Sequence, residues 1–214
     1  MKTFKKNIKY FVGKGIIDKS DLSEKKDISL KKAIKLVKKT NYSLNELINK
    51  DIAKAEKINE EFDFKFLVCD IDGVLTDGGM YYTQAGDEFK RFNTKDGMAI
   101  KNLVKDGYKV GFLSSGINAT IIENRAKLLG VEFVYVGTWK KPEILQKWCD
   151  ELQISLKNVA YIGDDINDLE VIKQVGLSAC PSDAVAEIKK EADIILTRKG
   201  GDACLREFVD EWVL

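Results

Sequence analysis

Phe64-Lys65-Phe66-Leu67-Val68-Cys69-Asp70-Ile71-Asp72-Gly73-Val74-Leu75-Thr76 is the stretch on which the fold of this chain turns. An apolar run of strand length ends in two carboxylates two positions apart. A short continuous apolar run predicts a strand buried on both faces, as in a parallel sheet. In open α/β sheets the working groups collect at the carboxyl ends of such strands. Gly73 lets the backbone turn away immediately after Asp72. Carboxylates this close repel, so one is protonated or a cation sits between them. A hard divalent ion with oxygen ligands, Mg²⁺ above all, suits the arrangement. A plain Asp-Gly turn after a strand would explain the same residues, and the rest of the chain has to decide.

Working outward, the 214 residues imply one domain, or one domain with a sizeable appendage. A hydrophobic share of 44% supplies a real core. The net charge of +1 hides an asymmetry. Residues 1–62 hold 16 Lys/Arg against 9 Asp/Glu, a net +7, and residues 63–214 hold 19 against 25, a net −6. This predicts two parts, a basic N-terminal extension (1–62) and an α/β domain (63–214). No apolar run is long enough to span a bilayer, and the first residues lack a secretory signal. Cys69, Cys149, Cys180 and Cys204 are scattered, which predicts reduced, mostly buried thiols in a cytoplasmic protein. Histidine is absent, so Ser-His-Asp and Cys-His catalysis and imidazole general bases are excluded. Acid–base work falls to carboxylates, Lys, Tyr or Cys.

In the extension, Leu30, Ala33, Ile34 and Val37 recur at helical spacing, as do Leu44, Leu47, Ile48, Ile52, Ala55 and Ile58. Ser43-Leu44-Asn45-Glu46 has the form of a capping box opening the second helix. The Lys-rich surface reads as a solvated helix face, since no nucleic-acid motif accompanies it. After the opening strand, two aromatic-bearing runs flank Gln84-Ala85-Gly86-Asp87 and predict a β-hairpin. Its exposed aromatics would need cover, which points to subunit contact. Strands at 108–113, 133–136, 159–162, 177–180 and 194–196 then alternate with helices, of which Lys141-Pro142 opens one and 202–212 closes the chain. This alternation predicts a doubly wound parallel sheet.

Asp70/Asp72, Ser114, Lys141 and Asp164/Asp165/Asp168 stand at strand ends or at the helix starts just beyond them. On neighbouring parallel strands these groups converge on one edge. A phosphoryl group gives each a role. One carboxylate can act as nucleophile and a second can move the proton. A divalent metal, a hydroxyl and an ammonium can hold the phosphoryl oxygens.

With these residues assembled, the chain from about residue 64 onward resembles the haloacid dehalogenase superfamily of phosphatases. Asp70-Ile71-Asp72-Gly73-Val74-Leu75-Thr76 is similar to the first motif of that family and Ser114 to its second. Lys141 is similar to the third, and Gly163-Asp164-Asp165-Ile166-Asn167-Asp168 to the fourth. The hairpin with Gly86-Asp87-Glu88-Phe89-Lys90-Arg91-Phe92-Asn93, then Asp96-Gly97, then Gly200-Gly201-Asp202-Ala203-Cys204-Leu205-Arg206-Glu207, resembles the capless branch. That branch is typified by phosphatases of 3-deoxy-D-manno-octulosonate 8-phosphate and of nonulosonate (including acylneuraminate) 9-phosphates, which serve lipopolysaccharide or sialic acid biosynthesis.

The resemblance implies Asp70 as nucleophile and Mg²⁺ ligand, and Asp72 as general acid/base with its backbone carbonyl on the metal. It implies Ser114 and Lys141 on the phosphoryl group and Asp164 as a further ligand, supported by Asp165 and Asp168. Gly73, Ser115, Gly116, Lys95, Asp96 and Arg206 are the substrate-binding candidates. It also implies a homotetramer in which hairpins meet and a neighbouring subunit helps cover each site. Two features depart from the pattern. Ser115-Gly116 stands where the branch carries Gly-Arg, which removes a bidentate grip on an anion. Residues 1–62 have no counterpart in the stand-alone phosphatases. The expected substrate is a phosphorylated sugar acid, with no role for nucleic acid or membrane. The competing expectation is an assembly module that tetramerises a sugar-activation partner and has little activity of its own.

Overall fold

A computed structural model describes residues 2–18 and 30–214. The part of the helical expectation that falls on residue 1 and residues 19–29 lies outside the described residues. Chain packing separates two units, Met1–Glu61 and Phe62–Leu214.

The first unit holds α1 (Lys2–Gly13), α2 (Leu30–Thr40), α3 (Leu44–Asn49) and α4 (Ile52–Glu61). The periodicity from Leu44 to Ile58 predicts one helix, and the structure breaks it in two. Lys50 is extended, and the Asn7 side chain holds the break open. Its amide donates to Leu47 O at 3.0 Å and Lys50 O at 2.7 Å, while Ile52 N donates to its Oδ1 at 3.1 Å. One buried amide thereby satisfies groups that a continuous helix would have paired internally. The capping box forms, with Ser43 and Glu46 bonding reciprocally. Phe11, Ile8, Ile17, Leu36, Leu47 and Ile52 make a small core.

The second unit is built on β1 (Phe66–Cys69), buried along its whole length. A tight turn over Ile71–Leu75 follows, in which Gly73 takes φ +86°. The hairpin strands β2 (Tyr81–Tyr82) and β3 (Glu88–Phe89) come next, then α5 (Thr94–Lys105), β4 (Lys109–Ser114), α6 (Ala119–Leu129), β5 (Phe133–Val136) and α7 (Lys141–Leu152). The chain continues through β6 (Val159–Ile162), α8 (Leu169–Ile172), β7 (Leu177–Cys180), α9 (Ala186–Glu191), β8 (Ile194–Ile195) and α10 (Cys204–Phe208). The six-stranded sheet has the order β5-β4-β1-β6-β7-β8, all neighbours parallel. This is the predicted α/β fold.

Four boundaries differ from the sequence expectation, the smallest being the strand expected at 108–113, which runs over Lys109–Ser114. The helix expected from Asp96 begins at Thr94, because the Asn93 side chain accepts from Lys95 N and caps it. The strand expected at 194–196 is two residues long. The closing helix begins at Cys204, since Ala203 takes the left-handed conformation at φ 64°, and its last turn widens over Val209–Val213.

Register carries the chemistry to one edge. Cys69 lies opposite Phe112 of β4 and Ile162 of β6, so Asp70 and Gly163 leave their strands at the level of Leu113, one residue before Ser114 ends β4. Beneath that edge, Phe66, Phe133 and Trp148 pack edge to face with ring centroids 5.2–6.2 Å apart. The four cysteines are free and buried. Among the described residues, no helix is long and apolar enough to cross a membrane.

Candidate active site

Asp70 follows β1 directly, and its amide donates to Ile162 O at 3.0 Å, which fixes it to the end of β6. Its side chain is buried, with Oδ1 3.0 Å from Lys141 Nζ. Lys141 is the first residue of α7, also buried, and reaches Asp168 Oδ1 at 2.6 Å. Asp168 is fully enclosed and saturated with donors. Its Oδ1 takes Lys141 Nζ and the Tyr161 hydroxyl at 2.5 Å, and its Oδ2 takes the amides of Asp164 at 2.9 Å and Asp165 at 3.3 Å. It therefore folds the loop after β6 and anchors the lysine.

Carboxylate oxygens of Asp70, Asp164 and Asp168 gather within 4.8 Å of one another. Burial, then the Asp168 charge, push Asp70 up to about 7 against the pull of Lys141. Burial and the neighbouring Asp70 push Asp164 up to about 8. For Lys141 burial works downward, but Asp70 and Asp168 outweigh it and hold the ammonium above its usual value. One ammonium does not neutralise this group. Asp164 Oδ1 is buried without a hydrogen-bond partner among the described residues, so it faces neither donor nor solvent. A Cβ at Gly73 would fall 2.0 Å from Asp164 Oδ2, so glycine alone permits the approach of the two loops. An unpaired carboxylate oxygen beside a second buried carboxylate fits a hard divalent cation.

Asp72, within the turn, has partners of its own. Its Oδ1 accepts from Lys90 Nζ at 2.7 Å and Thr76 Oγ1 at 3.2 Å. Ser114 ends β4, buried, its Oγ accepting from Gly116 N at 3.0 Å. A Cβ on Gly116 would lie 3.2 Å from Ser114 Oγ and 3.6 Å from Asp72 Oδ2, so the three residues border one space. Ser115 is exposed and accepts from Asn167 Nδ2 at 3.0 Å, linking the loops after β4 and β6.

The remaining expected residues have other partners. Asp165 is exposed, and its carboxylate caps its own turn by accepting from Ile166 N at 2.7 Å, so only its backbone amide reaches the acidic group. Lys95 is exposed, and its amide donates to the Asn93 side chain. Asp96 is buried and accepts from Arg206 N at 2.8 Å, which ties α5 to α10. The Arg206 guanidinium turns along its helix to Asp210. These contacts are the cap and helix-packing roles that the same residue types offer without a substrate. The signal missed in the sequence is Lys90, just past the hairpin. Its side chain is 7% exposed between Asp72 and Glu88, and although it lies in the run that resembles the capless branch, nothing in that run marks its contact with Asp72. Tyr161, inside an apolar strand, is equally silent.

A family profile described as haloacid dehalogenase-like hydrolase matches residues 131–207. The 3-deoxy-D-manno-octulosonate 8-phosphate phosphatase of Yersinia pestis is 36% identical over 153 residues, 72% of this chain and 81% of that protein. The chain belongs to the haloacid dehalogenase-like hydrolases. Within that family it is a phosphoric monoester hydrolase. The cobalt-bound deoxy-D-mannose-octulosonate 8-phosphate phosphatase of Haemophilus influenzae superposes with a TM-score of 0.66 at 32% identity, covering 69% of this chain and 86% of that one. The Moraxella catarrhalis 3-deoxy-D-manno-octulosonate 8-phosphate phosphatase, solved with magnesium, phosphate and the sugar acid, superposes with a TM-score of 0.68 at 27% identity, covering 74% and 92%. Between β1 and α5 of this hydrolase lie only the turn over Ile71–Leu75 and the hairpin.

Proposed function

We propose that this hydrolase is an Mg²⁺-dependent phosphatase of a phosphorylated 2-keto-3-deoxy sugar acid, octulosonate 8-phosphate or nonulosonate 9-phosphate, working through an aspartyl phosphate. The observation that supports the reading is the grouping of Asp70, Asp164 and Lys141 beyond the ends of β1 and β6, with Asp72 and Ser114 bordering a common space beyond the neighbouring strands β1 and β4. The relatives' substrate supports an eight-carbon sugar acid.

Asp70 and Asp164, with the backbone carbonyl of Asp72, would hold the metal, whose charge would offset that of carboxylate and phosphate. An Asp70 oxygen attacks phosphorus while the bond to the sugar oxygen breaks. Asp72, as general acid, gives a proton to that leaving oxygen. Water then attacks the phosphorus of the aspartyl phosphate as Asp72 takes its proton, releasing phosphate and regenerating Asp70. Lys141 and Ser114 bind the phosphoryl oxygens, and Asp168 aims Lys141 by holding its ammonium.

Exposed Met80, Tyr82 and Phe89 support hairpin contacts in a homotetramer. Four free buried thiols support a cytoplasmic setting. Residues 1–62 are read as a separate basic appendage on the phosphatase domain. The test is phosphate release from octulosonate, nonulosonate and acylneuraminate phosphates, with and without EDTA. Mg²⁺-dependent release from one sugar acid phosphate is expected, and silence on the whole panel overturns the reading.

A further inference from the structure

Lys90 stands immediately after β3 and reaches back to Asp72, 18 positions earlier. Its Nζ lies 2.7 Å from Asp72 Oδ1 and 2.9 Å from Glu88 Oε1, with the side chain 7% exposed. Thr76 Oγ1 lies 3.2 Å from the same Asp72 oxygen, its one proton shared between that oxygen and Ile71 O at 3.3 Å. Lys90 thus supplies the main contact that engages Oδ1, and Oδ2 is left facing the space that Gly116 and Ser114 also border. Glu88, itself only 12% exposed, fixes the lysine from its place opposite Tyr82 in the hairpin.

We infer that Lys90 is a positioning residue: it clamps Asp72 Oδ1 so that Oδ2 alone exchanges the proton with the leaving oxygen and then with water. The inference rests on the phosphatase reading above and adds to it the part played by the hairpin. In the first half-reaction the Oδ2 proton passes to the sugar oxygen as its bond to phosphorus breaks and the Asp70 bond forms. In the second, Oδ2 receives a proton from water as the Asp70 bond breaks. The ammonium keeps its protons throughout and touches neither substrate nor phosphorus. A carboxylate free to rotate would present the wrong oxygen or lone pair for much of the time, and misplacement of about 1 Å costs on the order of 100-fold.

A purely structural ion triplet would look similar, and Lys90→Met alone would not separate the two. It leaves Glu88 buried with an uncompensated charge, which destabilises by itself. The double variant Glu88→Gln/Lys90→Met removes both charges and relieves that penalty. The experiment measures kcat, KM and Tm for wild type, Lys90→Met, the double variant and Lys90→Arg, together with a crystal structure of the double variant. The expected result is a double variant with most of its Tm restored, KM nearly unchanged and kcat still about 10- to 100-fold low. Lys90→Arg recovers part of the rate, and Asp72 is rotated in the crystal. A double variant with wild-type kcat, or one in which Asp72 keeps its orientation, overturns the clamp while the phosphatase reading stands. A wild type inactive on every sugar phosphate refutes the reading and the proton-transfer role with it, whatever the crystal shows.

Discussion

Replacing Asp168 by asparagine tests the buried framework of the site, and its cost follows from the hydrogen bonds. Both oxygens of Asp168 face donors: Lys141 Nζ and the Tyr161 hydroxyl on Oδ1, and the amides of Asp164 and Asp165 on Oδ2. An asparagine in either orientation turns its NH₂ against one of these pairs. Facing the amides, it turns two bonds into donor–donor contacts; facing Lys141 and Tyr161, it does so for the lysine while the hydroxyl turns to accept, and in either case Lys141 keeps only Asp70 as a neutralising neighbour. Hydrogen bonds to a charged group are worth about 1.5–3 kcal/mol each. Breaking one side of a buried ion pair costs about 3–5 kcal/mol. The two figures overlap, so Asp168→Asn is expected to lose about 3–5 kcal/mol, or about 6–20 °C in Tm for a chain of this size. Urea unfolding followed by tryptophan fluorescence measures the first quantity and calorimetry the second. Trp148 packs on Phe66 beneath the site edge and reports on the phosphatase unit. Tyr161→Phe, which deletes one donor without inverting any, is expected to cost less. A loss under about 1 kcal/mol for Asp168→Asn, below the worth of one such bond, would refute the claim that this carboxylate is the hub of the loop.

Asp70→Asn is expected to abolish phosphate release while leaving Tm unchanged or higher, since it removes one charge from a crowded acidic group; a variant retaining a tenth of wild-type kcat would count against a nucleophilic Asp70. Gly73→Ala places a methyl 2.0 Å from Asp164 Oδ2 at φ +86°, so Mg²⁺ affinity measured by calorimetric titration should fall more than stability does. Asp96 gives a pH test away from the metal site. Burial, partly offset by the Arg206 amide, pushes it up to about 6 from 3.8. The folded state therefore binds more protons than the unfolded state between these values, and stability falls as pH rises from about 4 to about 6. Asp96→Asn keeps the acceptor for Arg206 N, so in urea unfolding series it should lessen a slope to which Asp70 and Asp164, also raised, contribute the rest; an unchanged slope would rule out Asp96 as a source.

The parts of the site legible in the sequence are those where chemistry sits at a strand end. Asp70 and Asp72 close an apolar run, Ser114 closes another, and Lys141 precedes a proline that starts a helix. Parallel pairing of β1 with β4 and β6 then converts sequence position into spatial convergence. Partners chosen by tertiary packing were not legible. Asn7 interrupts a helix more than 40 positions away with one amide, and nothing near Lys50 signals it. Lys90 acts through a hairpin whose fold back onto Asp72 leaves no trace in local composition. Tyr161 reads as one more apolar strand residue until its hydroxyl meets Asp168. Asp96 and Arg206 show the converse, since residue types suited to a sugar acid are engaged elsewhere, Asp96 in accepting the backbone amide that ties α10 to α5 and the Arg206 guanidinium in pairing with Asp210.

The central claim is that Asp70 takes the phosphoryl group, and acid-quenching the enzyme during turnover of a sugar acid phosphate tests it directly. Peptide mass spectrometry of the quenched protein should find one phosphoryl group on the peptide at Asp70, lost on treatment with base and missing from Asp70→Asn. Steady turnover with no covalent phosphate, or with the phosphoryl group on Asp72 or Asp164 instead, would contradict it.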